Sequence, residues 1–356
     1  MDRKAKIALL FLVGAVLATV PAFYYLPGKS FTIKGKYNQR ENMVAIGSAN
    51  IPAGEDDSRI VLAAVGDIML SRAVERKMIA KKDWKYPFLE TAEITSGADI
   101  TFGNLETTIL PGARVLDMSF IFRADPKALE GLEVAGFDVL SLANNHTMNF
   151  GYSGLEATLQ NLDGVGIGHI GAGLSEKSIY APVIKEVEGV KIGFLAYTYA
   201  REQSHSIDGN IYGTAYANTD KMKDQVSELR NSADIVVISM HMGEEYQTSP
   251  NTVQKNFARA AVDAGAELVI GHHPHVVETF EKYNDGYIIY SLGNFVFDQM
   301  WSEETRLGAI AEITFENNKI SDIRFVPVKI FDYAQPKLAD GVDKDKILER
   351  LEANGD

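Results

Sequence analysis

The sequence predicts a layered α/β protein, and three observations carry that prediction. Between residues 60 and 173, short apolar runs of strand length alternate with helix-length segments, the order from which layered sheets are built. Four apolar runs stop abruptly at ligand-capable side chains, in AAVGDIM, ITFGNLE, SLANNHTMNFG and LVIGHHPH. A buried strand that ends in a polar loop is where α/β proteins hold their chemistry, because the strand fixes the loop. Finally, 356 residues that are 46% hydrophobic and 23% charged can bury a sizeable core.

The elements follow in order. Residues 60–65 form a buried strand that Gly66-Asp67 ends. Helices are expected over residues 72–82 and 88–96, the second stopped by Gly97. ADITFGNLE is the next strand, ending at Gly103-Asn104 with Glu106 two residues on. In DPKALEGLEVAG, Asp125 caps a helix, Pro126 takes its first position and Gly136 stops it. FDVLSLA then delivers Asn144, Asn145 and His146, and YSGLEATLQNLDGVG is a further helix. A hairpin turns at Glu188-Gly189. Residues 201–219 are long for a loop and read as a substrate-side insertion. A helix over 220–232 precedes a strand ending at His241, and a helix stopped by Gly265 precedes the strand ending in the histidine cluster. GYIIYSLGNFVFD adds a strand and loop, a second hairpin turns at Asn317-Asn318, and residues 343–353 form a last amphipathic helix.

The net charge of −13 argues against nucleic acid, which needs basic patches. It would repel an anionic polymer too, unless metal ions or local basic groups intervene. The absence of cysteine excludes disulfides, thiolate metal sites and lipoprotein attachment. At the N-terminus Arg3, Lys4 and Lys6 precede 20 uncharged residues, 7–26, long enough to span a bilayer. Positive charge before the span places the N-terminus in the cytoplasm and the rest outside, a single-pass membrane anchor. The alternative is a signal peptide cut near Val20-Pro21-Ala22, which would release a secreted protein. The expected organisation is a basic tip and anchor over 1–27, a linker over 28–59, one domain over 60–335 and a helical tail over 336–356.

Taken together, the strand-end polar groups are Asp67, Asn104, Glu106, Asn145, His146, His241, His272, His273 and His275, which include five of the seven histidines. One strand-end Asp or Asn is ordinarily a cap or a turn former; joint occurrence at five strand ends points to a site. Carboxylate, amide and imidazole ligands without thiols suit a divalent ion such as Mn, Zn, Fe, Mg or Ca. His273-Pro274-His275, if extended, puts two imidazoles on one side. Two metals about 3.5–4 Å apart activate a water and stabilise in-line displacement at phosphorus. His146, with Asn145 beside it, is positioned to donate a proton to a leaving oxygen. Arg72, Arg114 and Arg123 are the basic groups for an anionic substrate, and Asn144 and Asn294 are further candidates on the substrate side.

The strings AAVGDIML, FGNLE, GFDVLSLANNH, GLEATLQNLDGVGI followed by GAG, HMGEEY, AGAELVIGHHPHVV and YSLGNFVFD resemble, in this order, the CapA family of capsule and poly-γ-glutamate synthesis proteins, over about residues 60–298. The resemblance implies a four-layer α-β-β-α sandwich similar to the calcineurin-like metallophosphatases, with a dinuclear metal centre holding Mn, Zn or Fe. It implies an N-terminal membrane anchor, and work on poly-γ-glutamate or a capsule component beside other synthesis and export subunits. On it, Asp67 matches the first metal-binding Asp. Asn104 or Glu106 falls at the bridging carboxylate, Glu106 being favoured because it ionises. Asn145 matches the Asn ligand, His146 the adjacent acid–base His, and His241 the lone strand-end His. His273 and His275 match the final pair, preferred over His272 on spacing. The chain departs from the pattern at Met69, where a His is expected, at the bridging position, and at Asn149, where an Asp is expected. Two functions stay open: a metal-dependent hydrolase or transferase, or a non-catalytic subunit that holds the polymer.

Overall fold

A computed structural model describes residues 45–46, 59–199, 204–207 and 210–352. The first sheet is centred on four strands, β1 (Ile60–Ile68), β2 (Ile100–Leu105), β3 (Val139–Ser141) and β4 (Gly168–Ile170), all parallel and in that spatial order. The second sheet comes from the middle of the chain: β5 (Val183–Val187), β6 (Val190–Thr198), β7 (Ile235–His241), β8 (Leu268–His272), β9 (Phe280–Tyr283) and β10 (Gly286–Ile289). Its order is β9-β10-β8-β7-β6-β5, with a parallel centre and an antiparallel hairpin at each edge. The chain then returns to the first sheet through β11 (Asn294–Val296), parallel to the end of β1, and the hairpin of β12 (Leu307–Glu316) and β13 (Lys319–Phe331).

Alternation along these strands divides the interior into three apolar layers. Leu62, Ala64, Phe102 and Val139 of the first sheet meet Phe194, Val237 and Ile270 of the second between the two sheets, where the Phe102 and Phe194 rings stack at 5.8 Å. The opposite face of the first sheet, with Ala63, Val65 and Leu140, takes up Val74 and Met78 from helix α1 (Arg72–Lys81), Leu132 from α2 (Leu129–Val134) and Leu155, Leu159 and Leu162 from α3 (Gly151–Gly164). The outer face of the second sheet buries Met222 and Val226 of α4 (Thr219–Leu229) and Phe257 and Ala258 of α5 (Thr252–Asp263). The layer order is helix, sheet, sheet, helix. Central strands covered on both faces have no polar side to show, which is why they read as unbroken apolar runs.

Both hairpin turns fall where the sequence places them, with left-handed backbone at Glu188 (φ 50°) and Gly189 (φ 83°) and at Asn317 (φ 53°) and Asn318 (φ 61°), as two-residue turns between twisted strands require. The expected helix over 88–96 is reduced to Ala92–Thr95. The preceding segment turns instead, so that Phe88 reaches the core against Phe137 and Phe295 and close beneath Gly131. The expected loop over 201–219 contains the strands Ser204–Ile207 and Asn210–Thr214, paired antiparallel with one another and, from the latter, with Ala172–Gly173; residues 201–203 and 208–209 of it lie outside the described ones. The last helix, α6 (Gly341–Glu352), is not a separate tail, because Ile347, Leu348 and Leu351 enter the layer between the sheets. The expected anchor and nearly all of the expected linker lie outside the described residues. Among the described residues no helix is long and apolar enough to cross a membrane.

Candidate metal centre

Parallel strands deliver their C-terminal ends to one edge, and here the two sheets deliver theirs to the same place. Asp67 at the end of β1 pairs in register with Asn104 of β2 on one side and Asn294 of β11 on the other. In the second sheet His241 ends β7 beside His272, which ends β8. Two glycines permit the close approach of the segment that joins the sheets. A Cβ on Gly66 would lie 1.9 Å from the Gly293 carbonyl oxygen, and one on Gly271 would lie 1.8 Å from that of Tyr290.

Asp67 is the hub. Its Oδ1 accepts from Asn104 Nδ2 at 2.8 Å and its Oδ2 from the His273 backbone N–H at 3.2 Å. His272 Nδ1 lies 3.4 Å from Oδ1 and His275 Nδ1 3.3 Å from Oδ2. Burial pushes the Asp67 carboxyl up, but the two imidazoles outweigh it and hold the group well below the usual carboxylate range. Glu106 goes the other way: burial, and then the charge of Asp67, push it well above. Two buried carboxylates this close cannot both carry charge unless a cation joins them.

One donor atom from each of Asp67, Glu106 and His275 lies within 4.8 Å of the others, and all three residues are buried. Around them Glu106 Oε2, both ring nitrogens of His272 and His273 Nδ1 are buried without a hydrogen-bond partner. Buried polar atoms are ordinarily paired, and this set of unpaired oxygen and imidazole nitrogen donors fits a divalent cation. His241 adjoins it, with Nδ1 3.5 Å from Glu106 Oε1 and accepting from Asn104 Nδ2 at 3.3 Å, while its Nε2 donates to Asn145 Oδ1 at 3.0 Å. Met69 takes no part: it is buried in the outer apolar layer, with its sulfur accepting from the Ser71 N–H.

The histidine string differs from the extended segment expected of it. His273 (φ 100°) and His275 (φ 59°) both sit in left-handed backbone, at a cost of about 1–3 kcal/mol each. Those turns wrap the string around Asp67, so the two rings meet at 6.1 Å by curling rather than by alternation. They also bring in His272, which spacing had set below its neighbours.

His146 stacks on Phe122 at 3.9 Å between ring centroids. The Phe122 N–H donates to Asn149 Oδ1 at 2.8 Å, so that oxygen accepts from His146 Nδ1, 3.1 Å away. The lone pair therefore sits on Nε2. Burial, with His275, His273 and Arg72 in support and against the Asn149 bond, brings the imidazole down to about 3. At neutral pH the ring is neutral and Nε2 is its accepting nitrogen. Asn145, His146 and His273 are only half-buried, and they open the centre to solvent.

Three residues expected against substrate are occupied elsewhere. Asn144 is buried, its Oδ1 accepting from the His146 and Thr147 N–H groups and its Nδ2 donating to the Leu105 carbonyl and to Asn104, so it shapes the loop. Asn294 accepts from His275 Nδ1 at 3.0 Å and donates to the Thr305 carbonyl, so it orients the His275 ring. Arg123 is buried in a forked pair with Glu75 and cannot reach a substrate. Arg72, paired with Asp298, lies over the Phe122 ring at 4.6 Å and stays beside the centre. Arg114 is exposed and pairs with Asp117. Sequence reasoning missed Glu245, whose charge acts on both Glu106 and His273; the string HMGEEY pointed to it but was read only for His241.

Behind the histidines, Glu278 is buried with Oε1 unpaired and Oε2 accepting from Gln254 Nε2 at 2.7 Å. Burial raises it from the usual 4.5 to about 8. The folded form thus holds a proton that the unfolded chain loses near 4.5, so this group makes stability fall as pH rises from about 4.5 to about 8. Glu278→Gln keeps the accepting oxygen and removes the ionisation. Urea unfolding across that range should show the variant losing less stability than the wild type, by about 1–3 kcal/mol at pH 8; parallel curves would show that Glu278 ionises freely.

The fold and the centre define a layered α/β protein with a buried carboxylate–imidazole site fit for a divalent cation. Residues 61–299 match the family model described as bacterial capsule synthesis protein PGA_cap. The chain belongs to that family. It is 35% identical over 315 residues to the PGA biosynthesis protein CapA of Bacillus subtilis, covering 86% of this chain and 81% of that one. It is 31% identical over 304 residues to the capsule biosynthesis protein CapA of Bacillus anthracis, covering 83% and 74%. Among solved structures it is similar to the calcineurin-like phosphoesterase YfkN of Bacillus subtilis, with TM-score 0.42, 12% identity, and 82% and 96% covered. It is also similar to a putative 5′-nucleotidase of Staphylococcus aureus, with TM-score 0.46, 14% identity, and 82% and 58% covered.

Proposed function

We propose that the chain is a membrane-anchored, extracytoplasmic component of capsule or poly-γ-glutamate assembly, with a divalent-metal site that performs hydrolytic or transfer chemistry on an anionic polymer. The Asp67-centred cluster of unpaired buried donors carries this reading. Asp67, Glu106, His275 and His241 are the first residues to hold the ion, with His272, His273, Asn104 and Asn145 around them. When bound, Mn, Zn or Fe supplies charge neutralisation and a water acidic enough to lose its proton near neutral pH. His146 Nε2, neutral and open to solvent, takes up a proton there. The Arg72 guanidinium, steadied by Asp298, meets a carboxylate or phosphate of the substrate. Residues 7–26 are the single-pass anchor, with its cytoplasmic tip before it, or a signal peptide if cleaved. The other capsule synthesis and export subunits are the partners in the membrane.

A second reading, a non-catalytic subunit that holds polymer through a bound cation, is favoured by one observation: the side chain beside Asp67 on β2 is an amide, Asn104, that turns its Nδ2 toward the carboxylates. His146→Gln separates the two. Turnover of poly-γ-glutamate or of a chromogenic phosphodiester should fall by about 10²–10⁴ with metal content unchanged. Equal turnover in the variant would remove His146 from the chemistry.

A further inference from the structure

The loop between residues 111 and 121 leaves Leu116 at 74%, Met118 at 88% and Phe120 at 87% exposure, at alternate positions within five residues. Three large apolar side chains so bare on one short loop are what folded proteins reserve for an interface. The loop is nevertheless held in place. Asp117 pairs with both Arg76 and Arg114, and Arg72 donates to the Ser119 carbonyl at 2.9 Å. Two arginines against one aspartate leave a cationic flank beside the apolar tip, which suits the anionic headgroups of a bilayer. Apolar side chains with basic neighbours are the composition of segments that lie in a membrane interface.

The chain before the domain makes the bilayer the occupant. Residues 7–26 are uncharged and long enough to span it. Residues 27–44 separate that segment from Ala45–Ile46, which pair with Arg324 and Ile323 of β13; about 18 residues reach about 60 Å when extended, more than the width of a domain of this size, so the face that carries the loop is within reach of the membrane. We propose that the loop carrying Leu116, Met118 and Phe120 docks into the outer surface of the membrane in which the chain is anchored. Phe122, next along, stacks on His146, so docking sets the mouth of the metal centre against the bilayer, where a polymer leaving an exporter would emerge.

The inference rests on the anchor reading, and the test keeps the two apart. The chain has no cysteine, so Met118→Cys, Phe120→Cys and, as control, Val342→Cys, where the native side chain is 82% exposed on α6, each take one environment-sensitive fluorophore. The full chain is reconstituted into phosphatidylcholine–phosphatidylglycerol vesicles with or without brominated lipid. Bromolipid should quench the probes at 118 and 120 about two-fold or more and leave the probe at 342 unaffected. Quenching no greater than at 342 in chains that float with the vesicles overturns the docking and leaves the anchor. Chains that do not float overturn both. Burial of the probes caused by added poly-γ-glutamate in detergent, without vesicles, would assign the loop to substrate instead.

Discussion

Asp67→Asn is expected to lower divalent-metal affinity by more than about 100-fold, beyond the loss usual for residues that only orient ligands. The carboxylate accepts from the Asn104 amide and the His273 N–H on separate oxygens and faces two imidazoles. An amide retains one accepting oxygen and turns an NH₂ toward donors, so the metal-free protein should also lose about 2–4 kcal/mol. Glu106→Gln should behave differently. Burial and the charge of Asp67 raise the Glu106 carboxyl well above its usual value, so a neutral amide in its place should remove the metal with little loss of metal-free stability. Elemental analysis after dialysis, paired with urea unfolding, checks both; an Asp67→Asn protein that keeps its ion would remove Asp67 from the centre.

Gly271→Ala is expected to cost at least about 3 kcal/mol. The added Cβ would lie 1.8 Å from the Tyr290 carbonyl oxygen and 3.1 Å from that of Ile289. These are backbone atoms of the strand paired with β8 and its continuation, with no side chain to swing aside. Because His272 follows directly, what folds should bind metal less well. Gly164→Ala, at the end of α3 with open space around it, should be neutral or slightly stabilising. Equal midpoints for the two variants in urea would show that β8 and the segment that follows β10 separate freely at this point.

The fold was legible where burial on both faces leaves one reading of a strand, as in IVLAAV and LVIG, and where turn chemistry is local, as at Asn317-Asn318. It was illegible where a tertiary contact decides: the segment before Ala92 abandons helix to bury Phe88. The same division holds at the site. Asp67, Glu106 and His275 could be named because strand ends announce themselves. The distribution of work among their neighbours could not, since Asn144 and Asn294 differ from a substrate-facing amide only in what surrounds them. His272 was set below His273 by assuming an extended segment, an assumption that two left-handed residues undo. The protonation of His146 was hidden as well, because it follows from the Phe122 N–H, distant in sequence, that makes Asn149 Oδ1 an acceptor.

The most direct measurement is the metal content of the full-length chain, stripped with chelator, reloaded with Mn, Zn or Fe and dialysed at pH values from about 5 to 9, with the protons released on binding counted by calorimetry in buffers of different ionisation heat. A centre built on Asp67 and on Glu106, whose carboxyl is raised well above its usual value by burial and by Asp67, predicts near-stoichiometric retention, affinity that rises with pH and net proton release on binding. No retained ion at any pH, or binding without proton release, would contradict the metal centre and leave a protein that serves capsule assembly by holding polymer alone.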